Sequence, residues 1–429
     1  MTLHEQMTEL ARRARAAAQA LTRLAAEEKN RCLLAMADRI EAEADRIRRA
    51  NEEDLAEGEK AGLSKALLDR LLLNEKRIAG MARGLREVAA LPDPVGRLIE
   101  ERTRPNGLRL RKTAVPIGVI VIIYESRPNV TADAAGLCFK AGNATILRGG
   151  KEAIRSNRVL TDILVEAGKA ASPRFPEGAV QLVSTVDRAA IPALLSLTDC
   201  VDLCIPRGGE GLIRAVTECS RVPVIKHYKG VCMMYIDGKA DREMGVRLAV
   251  NAKCQRPGVC NAIETLLVDR ALAAEFLPQA AAALWERGVE LRADAEALAI
   301  LRAAAERLPG AKLVPAREQD WSNEYLDLIL NVKTVGGVDE AIAHINRYGS
   351  HHSDAIVTRD EAAAQKFLNE VDSAAVYWNA STRFTDGGEF GMGAEIGIST
   401  DKIGARGPMG LEELTAYKWL CFGEGQERA

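Results

Sequence analysis

Short apolar runs that alternate with amphipathic segments constrain the fold of this chain more than any other feature. One series occupies residues 117–124, 144–147, 180–183, 201–205 and 222–225, and a second occupies residues 231–236, 263–268, 326–332, 354–357 and 374–378. Wholly apolar strands separated by helices are typical of a parallel sheet that is covered on both faces. The sequence therefore predicts an α/β protein with two open-sheet domains, which bind ligands beyond the carboxyl ends of their strands.

The N-terminal region has a helical pattern instead. Residues 1–92 are rich in Ala, Leu, Arg and Glu with helical periodicity, and two prolines within residues 91–94 end this pattern. Thr22 and Ser64 are the predicted N-caps. We therefore expect several amphipathic helices with solvated charges and no chemistry.

A β arm and the C-terminal tail make up the remainder. Within residues 97–113, a turn at 105–107 is followed by Leu108-Arg109-Leu110-Arg111, which alternates with a period of two and predicts a two-stranded arm. Such an arm is marginally stable alone, so we expect it to pack on the body or on another subunit. Residues 387–410 are predicted to be loop, followed by a final helix over 411–419 and a last strand near 417–422.

Composition excludes several classes of protein. The chain has 429 residues, 28% of them charged, and a net charge of −2, so neither a basic excess nor an aromatic-rich basic stripe indicates nucleic-acid binding. No apolar run approaches the roughly 20 residues of a membrane helix, and the N-terminus lacks a signal-peptide pattern. The nine cysteines form no CxxC pair, so we predict no metal site, and a reducing cytoplasm fits them best.

One cysteine stands in an unusual position. A helical pattern ends near Cys254, a Pro-Gly turn follows, and Cys260 comes just before the apolar run at 263–268. A turn of this kind can expose the sulfur in a cleft, where it can act as a nucleophile. The alternative is an ordinary buried core cysteine.

Three turns after predicted strands carry polar residues that suit a ligand. In the turn at 124–131, Asn129 is either a helix N-cap or a donor to a developing oxyanion. Arg148 and Lys151 flank two glycines and suit a ribose or phosphate, or are simply solvated charges. Arg207 and Gly208 begin a Gly-rich turn that opens a helix and suits a phosphate, although such glycines are as often only turn residues.

The order of these motifs resembles the aldehyde dehydrogenase superfamily. An Asn turn follows an apolar strand, Ala141-Gly142-Asn143 precedes the next strand, the cysteine loop lies about 130 residues further on, and a Glu precedes a later strand. Within the superfamily, residues 115–120, 125–129, 225–230 and 254–261 resemble the gamma-glutamyl phosphate reductase family. The resemblance covers essentially the whole chain and implies an aldehyde dehydrogenase-like fold with two Rossmann-like domains and a small β oligomerisation arm.

The resemblance also implies an activity. Members of that family reduce L-glutamyl 5-phosphate with NADPH to L-glutamate 5-semialdehyde and phosphate, in proline biosynthesis. Carried over by motif, Cys260 is the nucleophile and Asn129 is an oxyanion donor beside the backbone N–H of Cys260. A cysteine thiolate that attacks an acyl phosphate and leaves a thioester is consistent with these residue types.

Cofactor contacts follow from the same resemblance. Glu324 matches the superfamily's nicotinamide-ribose glutamate, with a surface carboxylate as the alternative. Arg148 stands where the superfamily usually has a ribose-binding lysine, and Arg207 and Gly208 are further cofactor candidates. Lys151 falls where NAD-preferring members often have a carboxylate, and a cation there suits the 2′-phosphate, so we predict NADPH over NAD.

Substrate contacts are predicted from charge. The substrate carries a phosphate and an α-carboxylate, which the cations Arg127 and Arg256 in the two active-site loops, or Ser381 and Arg383 after a late strand, would hold. Residues 225–229 match the motif in which hydrolytic superfamily members carry a water-activating glutamate, and they contain no carboxylate. This absence favours an enzyme that resolves its thioester with phosphate or hydride.

The implied organisation assigns residues 1–97 and 115–228 to a cofactor-binding domain and residues 229–400 to a catalytic domain. Residues 98–114 and 401–429 form the oligomerisation arm and tail. The arm implies a homo-oligomer, either a dimer or a dimer of dimers, and glutamate 5-kinase is a possible transient partner. The competing hypotheses are an aldehyde dehydrogenase that transfers the acyl group to coenzyme A, and a catalytically silent scaffold.

Overall fold

The chain is described here by a computed structural model that covers residues 1–428 and divides into two compact units. The first unit comprises Met1–Lys226, Gly391–Gly397 and the chain from Met409 onward. The second comprises His227–Phe390 and Ile398–Pro408. Each contains its own parallel sheet, which confirms the predicted α/β fold.

The first unit begins with helices, as the periodicity predicts. They are α1 (Leu3–Leu21), α2 (Ala26–Ala42), α3 (Ala44–Lys60), α4 (Lys65–Leu71) and α5 (Glu75–Ala90). Ser64 caps α4 by accepting a hydrogen bond from the N–H of Leu67, which confirms that prediction. The prediction for Thr22 is wrong, because this residue follows the end of α1 and its N–H donates to the carbonyl of Ala20.

The sheet of the first unit has four parallel strands in the order β5-β4-β3-β6. The strands and the helices that follow them are β3 (Val119–Tyr124), α6 (Asn129–Lys140), β4 (Ala144–Arg148), α7 (Ile154–Ala171), β5 (Val180–Leu182), α8 (Ala190–Leu195), β6 (Leu203–Arg207) and α9 (Glu210–Cys219). Every residue of β3 is buried, which explains its unbroken apolar run. The predicted strand at 222–225 is reduced to a single bridge between Cys204 and Val224.

The β arm is larger than the sequence predicts. Strands β1 (Leu98–Thr103), β2 (Arg109–Pro116) and β16 (Thr415–Phe422) form a three-stranded antiparallel sheet. The helix expected over 411–419 is wrong, since only a short 3₁₀ turn, Glu412–Leu414, precedes β16. Thr415, Tyr417 and Trp419 favour a strand, and pairing with β2 outweighs the helical pattern.

The second unit has a seven-stranded parallel sheet in the order β10-β9-β11-β8-β7-β12-β13. Its elements are β7 (Cys232–Ile236), α10 (Arg242–Cys254), β8 (Ile263–Asp269), α11 (Arg270–Trp285), β9 (Glu290–Ala293), α12 (Ala295–Arg307), β10 (Lys312–Pro315), β11 (Ile329–Val335), α13 (Val338–Tyr348), β12 (Ser353–Val357), α14 (Glu361–Glu370) and β13 (Ala375–Trp378). The strand predicted at 326–332 begins three residues later, because Leu326 has a left-handed backbone with φ of 54°.

Two short strands interrupt the tail that the sequence predicts to be loop. They are β14 (Gly397–Ser399) and β15 (Gly407–Met409), which form a two-stranded sheet. Across residues 1–428, the helices are all too short or too polar to cross a membrane.

Candidate active site

Cys260 lies on the loop that joins α10 to β8. Helix α10 ends at Cys254 and β8 begins at Ile263, as the sequence predicts, and Cys260 is half-buried on this loop. Glu324 also precedes a strand of the same sheet, β11. The cysteine loop and Glu324 therefore lie at the amino ends of β8 and β11. The expectation that ligands bind beyond the carboxyl ends of parallel strands does not predict these positions.

Gly230 is the direct support of Cys260. A Cβ atom at Gly230 would lie 2.0 Å from the carbonyl oxygen of Cys260 and 2.4 Å from its Cα, so only glycine fits there. The N–H of Gly230 donates to Oε1 of Glu324 at 2.9 Å. Glu324 is therefore connected to the cysteine loop through one residue.

The segment after β13 clamps the cysteine loop from another side. Arg383 Nε donates to Oε1 of Gln255 at 2.9 Å, and a second nitrogen of its guanidinium donates to Oδ1 of Asn261. Asn261 in turn donates to the carbonyl of Thr385 at 2.9 Å and accepts at its own carbonyl from Thr382 Oγ1 at 2.7 Å. The clamp holds both flanks of Cys260.

The pKa of Arg383 depends on both Arg256 and Cys260. Burial lowers this pKa, the positive charge of Arg256 lowers it further, and Cys260 raises it. Ser381 is buried, and its Oγ accepts from the N–H of Arg383 at 3.3 Å, so it caps the turn that presents this arginine. Arg256 is exposed on the loop.

A buried polar network lies behind the cysteine loop. Cys232 Sγ donates to the carbonyl oxygen of Cys260 at 3.2 Å and lies 3.7 Å from Nδ1 of His352. Burial lowers the pKa of His352 to about 3, so its ring is neutral at physiological pH. His227 packs edge-on to this ring with centroids 5.7 Å apart, and its Nδ1 donates to the carbonyl of Ile398 at 2.7 Å.

Asn129 is the first residue of α6 in the first unit. Its side chain does not cap the helix; the amide Nδ2 donates instead to Oδ2 of Asp133, one turn later, at 2.9 Å. Burial raises the pKa of Asp133 to about 6, against the effects of Asn129 and the charge of Arg207. The N-cap alternative for the Asn129 side chain is therefore excluded.

Three loops at the carboxyl ends of neighbouring strands are joined around the turn after β3, where the fold predicts ligands. Glu125 Oε2 accepts from the N–H of Gly209 at 3.0 Å, which ties this turn to the loop after β6. Glu152 Oε1 accepts from the N–H of Ser126 at 2.8 Å and from its hydroxyl at 2.7 Å, which ties the turn to the loop after β4. Arg127 is exposed between these two connections.

The predicted cofactor residues of the first unit differ in exposure. Arg148 is buried, and its guanidinium donates to the carbonyls of Gly149 at 2.9 Å and Val186 at 3.2 Å. Its buried Nε has no hydrogen-bond partner within residues 1–428. Lys151 is exposed at the start of the next turn. Arg207 is the last residue of β6, and Gly208 lies between this strand and α9.

Sequence reasoning missed three residues around the Cys260 loop, namely Gly230, Lys253 and Glu264. It also missed Asp133, which binds the side chain of Asn129 in the first unit. Glu264 carried a usable signal, because a carboxylate within an otherwise apolar central strand requires a buried partner. Lys253, next to Cys254 at the end of α10, is that partner at 2.7 Å. The role of Gly230 has no sequence signal beyond its position before β7.

A model of the aldehyde dehydrogenase family matches residues 2–299, which is more than half of the chain. The chain belongs to the aldehyde dehydrogenase family. The match includes the Asn129 turn and the Cys260 loop and ends before Glu324, so the relation of this third residue to the family depends on comparisons over the full length.

Relatives that match over nearly the full length extend the similarity beyond residue 299. The chain is 55% identical over 98% of its length to the gamma-glutamyl phosphate reductase of Persephonella marina, covering 94% of that protein. It is 56% identical over 97% of its length to the enzyme of the same name from Moorella thermoacetica, covering 97% of that protein.

Solved structures of the family agree with the fold. The crystal structure of gamma-glutamyl phosphate reductase from Thermotoga maritima is 43% identical, matches 99% of this chain and all of its own, and gives a TM-score of 0.94. An acetylating aldehyde dehydrogenase from Geobacillus thermoglucosidasius is 20% identical, with 100% and 98% coverage and a TM-score of 0.67, and is similar in fold.

Proposed function

We propose that this aldehyde dehydrogenase reduces L-glutamyl 5-phosphate to L-glutamate 5-semialdehyde and phosphate with NADPH, through a thioester on Cys260. The proposal rests on one observation, the 55–56% identity, over nearly full length, to relatives named gamma-glutamyl phosphate reductase. This reaction is the second step of proline biosynthesis from glutamate. The clamped, half-buried Cys260 loop is consistent with it.

In this proposal Cys260 is the nucleophile. Its thiolate attacks the carbonyl carbon of the acyl phosphate, the carbon–oxygen bond to phosphate breaks, and a thioester remains. The backbone N–H of Cys260 and the amide of Asn129 donate to the oxyanion of the tetrahedral species, where one donor is worth about 10²–10³ in rate. Gly230 and the Arg383 clamp fix the loop that carries the sulfur.

The residues of the first unit fit a dinucleotide. A Cβ on Gly209 would meet no atom within 4 Å, so the space beside the start of α9 is open to a ligand, while the N–H of Gly209 itself donates to Glu125. Gly208 and Arg207 lie directly before this position. A helix N-terminus and nearby cations suit the cofactor's phosphates. In the second unit, the carboxylate of Glu324 is proposed to bind ribose hydroxyls. When bound, NADPH supplies the hydride that reduces the thioester.

Lys151 and Arg148 have different roles in this proposal. Lys151 is exposed at the turn after β4, where a cation favours the 2′-phosphate of NADPH. Arg148 is buried against two backbone carbonyls, so in this proposal it holds the loop that presents Lys151 to the cofactor. Together they support NADPH as the preferred cofactor.

Four side chains are proposed to bind the substrate. Arg256 is exposed on the cysteine loop and Arg127 on the turn after β3, so both are accessible to a phosphate or an α-carboxylate. Arg383 has a positive charge near Cys260 and also binds Gln255 and Asn261, and Ser381 fixes the turn that presents it.

The segment Ile225-Lys226-His227-Tyr228-Lys229 contains no carboxylate that could activate water. This absence favours release of the aldehyde over hydrolysis of the thioester.

We further propose that the first unit, apart from the arm, serves the cofactor, that the second unit carries the cysteine, and that the β arm forms a homo-oligomer, a dimer or a dimer of dimers. Tyr417 and Trp419 are exposed on β16, with Lys112 Nζ 3.7 Å above the Tyr417 ring. Exposed aromatic side chains are typical of interfaces.

We also propose a transient contact with glutamate 5-kinase, which would protect the unstable acyl phosphate. The cysteine composition favours a cytoplasmic location.

The reverse reaction tests the proposed function. Glutamate 5-semialdehyde, NADP and phosphate are mixed with the wild type and with Cys260→Ala, and NADPH absorbance is followed. We expect NADPH formation that requires phosphate and disappears in Cys260→Ala. Equal turnover without phosphate, or with coenzyme A in its place, contradicts the acyl-phosphate substrate, and failure to bind NADPH supports the scaffold hypothesis.

A further inference from the structure

Lys253 and Glu264 form an ion pair at the two ends of the cysteine loop. Lys253 lies in the last turn of α10 and Glu264 is the second residue of β8, and their charged atoms are 2.7 Å apart. Both side chains are fully buried. The pair therefore closes the base of the loop on which Cys260 stands.

Stability alone does not account for this pair. A buried ion pair loses the hydration of two charges, and apolar residues of similar volume in its place are often neutral or stabilising. Burial raises the pKa of Glu264 to about 7 in spite of the adjacent ammonium, with Glu324 adding to the rise, so keeping this carboxylate charged has a cost. The pair is therefore expected to have a role besides stability.

The second oxygen of Glu264 reaches a strained residue. Its Oε1 accepts from the N–H of Leu326 at 3.4 Å, and Leu326 has a φ of 54°. A bulky residue rarely adopts this backbone conformation, and it persists only where the surroundings impose it. The carbonyl oxygen of Leu326 lies 3.7 Å from the position of a Cβ on Gly258, so the backbone of Leu326 contacts Glu264 through its N–H and faces the cysteine loop through its carbonyl.

Glu324 connects Leu326 to the backbone beside Cys260. Glu324 lies two residues before Leu326 and accepts from the N–H of Gly230, which is pressed against the backbone of Cys260. The loop is thus held at its base by the Lys253–Glu264 pair and at Cys260 by Gly230, and the segment 324–326 connects the two.

We infer that Lys253 and Glu264 are positioning residues for Cys260, acting through Leu326, Glu324 and Gly230. The inference rests on the proposed function, because it takes Cys260 as the nucleophile. The pair sets the location of the sulfur and, at the same time, the location of the carboxylate proposed to hold the nicotinamide ribose. Loss of the pair would displace the sulfur relative to that ribose without unfolding the second unit.

The double variant Lys253→Met/Glu264→Leu separates positioning from stability. We expect each single change to lower the urea midpoint and the double variant to recover most of it, because no charge is then left unpaired. We expect kcat of the double variant to stay about 10–100-fold below wild type, with substrate KM changed less than threefold. Recovery of kcat together with the midpoint would overturn the inference and leave the pair a structural one.

Leu326→Gly provides an independent test that does not disturb the charges. Glycine tolerates a φ of 54°, so the urea midpoint should be equal or higher, whereas kcat should fall several-fold as the peptide loses its fixed orientation. A kcat equal to that of the wild type in Leu326→Gly contradicts the proposed route.

The matched control for the double variant Lys253→Met/Glu264→Leu is Arg270→Met/Glu296→Leu, which removes an exposed ion pair of the same unit.

A readout without substrate distinguishes this inference from the proposed function. The rate of iodoacetamide alkylation at Cys260, followed on its peptide by mass spectrometry, is expected to change at least threefold in the double variant and not in the control. This result supports positioning even if the wild type does not reduce L-glutamyl 5-phosphate. Equal alkylation rates in wild type and double variant would overturn positioning even if the proposed activity is found.

Discussion

Nδ2 of Asn129 donates a hydrogen bond to Oδ2 of Asp133 at 2.9 Å, across one turn of α6. An amide nitrogen has two hydrogens, so the bond to Asp133 fixes the side chain and leaves the other hydrogen for an oxyanion. We predict that Asp133→Leu lowers kcat about tenfold, equivalent to about 1.4 kcal/mol of transition-state stabilisation, and changes the Kd of NADPH little. Steady-state kinetics and cofactor titration measure the two effects.

A double-mutant cycle gives this prediction its control. If Asp133 acts only by orienting Asn129, Asp133→Leu should have no further effect in a protein that already carries Asn129→Ala. Full additivity of the two changes in kcat would contradict the orienting role and indicate a separate effect of Asp133.

Gly230 should tolerate no side chain. In Gly230→Ala the new Cβ would lie 2.0 Å from the carbonyl oxygen of Cys260, and the cysteine loop must move to admit it. Because a displacement near 1 Å can cost about 100-fold in rate, we predict a 10–100-fold loss of kcat, with about 1–3 kcal/mol lost from the free energy of unfolding. Turnover assays and urea unfolding report the two quantities.

Gly80→Ala is the matched control for Gly230→Ala. A Cβ at Gly80 meets no atom within 4 Å, and the residue lies inside α5, where alanine is favoured by about 0.5–1 kcal/mol. The variant should therefore be slightly more stable than the wild type and equally active. Wild-type kcat in Gly230→Ala would mean that the cysteine loop yields without loss of its catalytic geometry.

The sequence predicts the two sheets and the position of Cys260 because both depend on local patterns. Nearly every strand of the parallel sheets is an apolar run, and the helix–turn–strand order places Cys260 on a loop that the structure confirms. Strands β9 and β10 escape prediction, because each has only four residues and begins with a charged one, Glu290 and Lys312. The helix expected near 411–419 fails because strand pairing with β2 is a long-range effect.

The contacts of the site cannot be predicted in the same way. Nothing in the local sequence indicates that Arg383 reaches Gln255 and Asn261, more than 100 residues earlier in the chain. Asn129 and Asp133 have the i,i+4 spacing that allows a bond within a helix. The spacing does not show whether the amide of Asn129 binds Asp133 or caps the start of α6. These choices depend on tertiary packing.

Arg383 is predicted to need its planar guanidinium. Its Nε binds Gln255 while a second nitrogen binds Asn261, and the single ammonium of lysine cannot make both contacts. We expect Arg383→Lys to lower kcat/KM for the acyl phosphate by about 10–100-fold. Arg256→Lys, at an exposed position on the cysteine loop, should lose less than tenfold, and equal losses in the two variants would contradict a clamping role for Arg383.

The last prediction concerns Asp354, which is fully buried on β12. Its carboxylate accepts from the N–H of Met233 at 2.7 Å and from Ser373 Oγ at 2.5 Å. Burial nevertheless raises the pKa of Asp354 to about 7, from an ordinary value of 3.8. The folded protein therefore holds a proton that the unfolded chain releases between pH 4 and 7.

Because the folded state binds the extra proton, the stabilisation from Asp354 is complete below about pH 4 and is lost as pH rises through about 7. A rise of about three pKa units corresponds to about 4 kcal/mol as an upper estimate. Asp354→Asn cannot ionise. Its amide oxygen can accept from the N–H of Met233 and its amide nitrogen can donate to Ser373 Oγ, so the variant should gain stability over the wild type as pH rises from 5 to 8. Urea unfolding of both proteins at the two pH values measures the difference between their free energies of unfolding. Other titrating groups affect both proteins equally, so their contributions cancel in this difference. A difference that does not change with pH would mean that Asp354 ionises at its ordinary pKa in the folded protein.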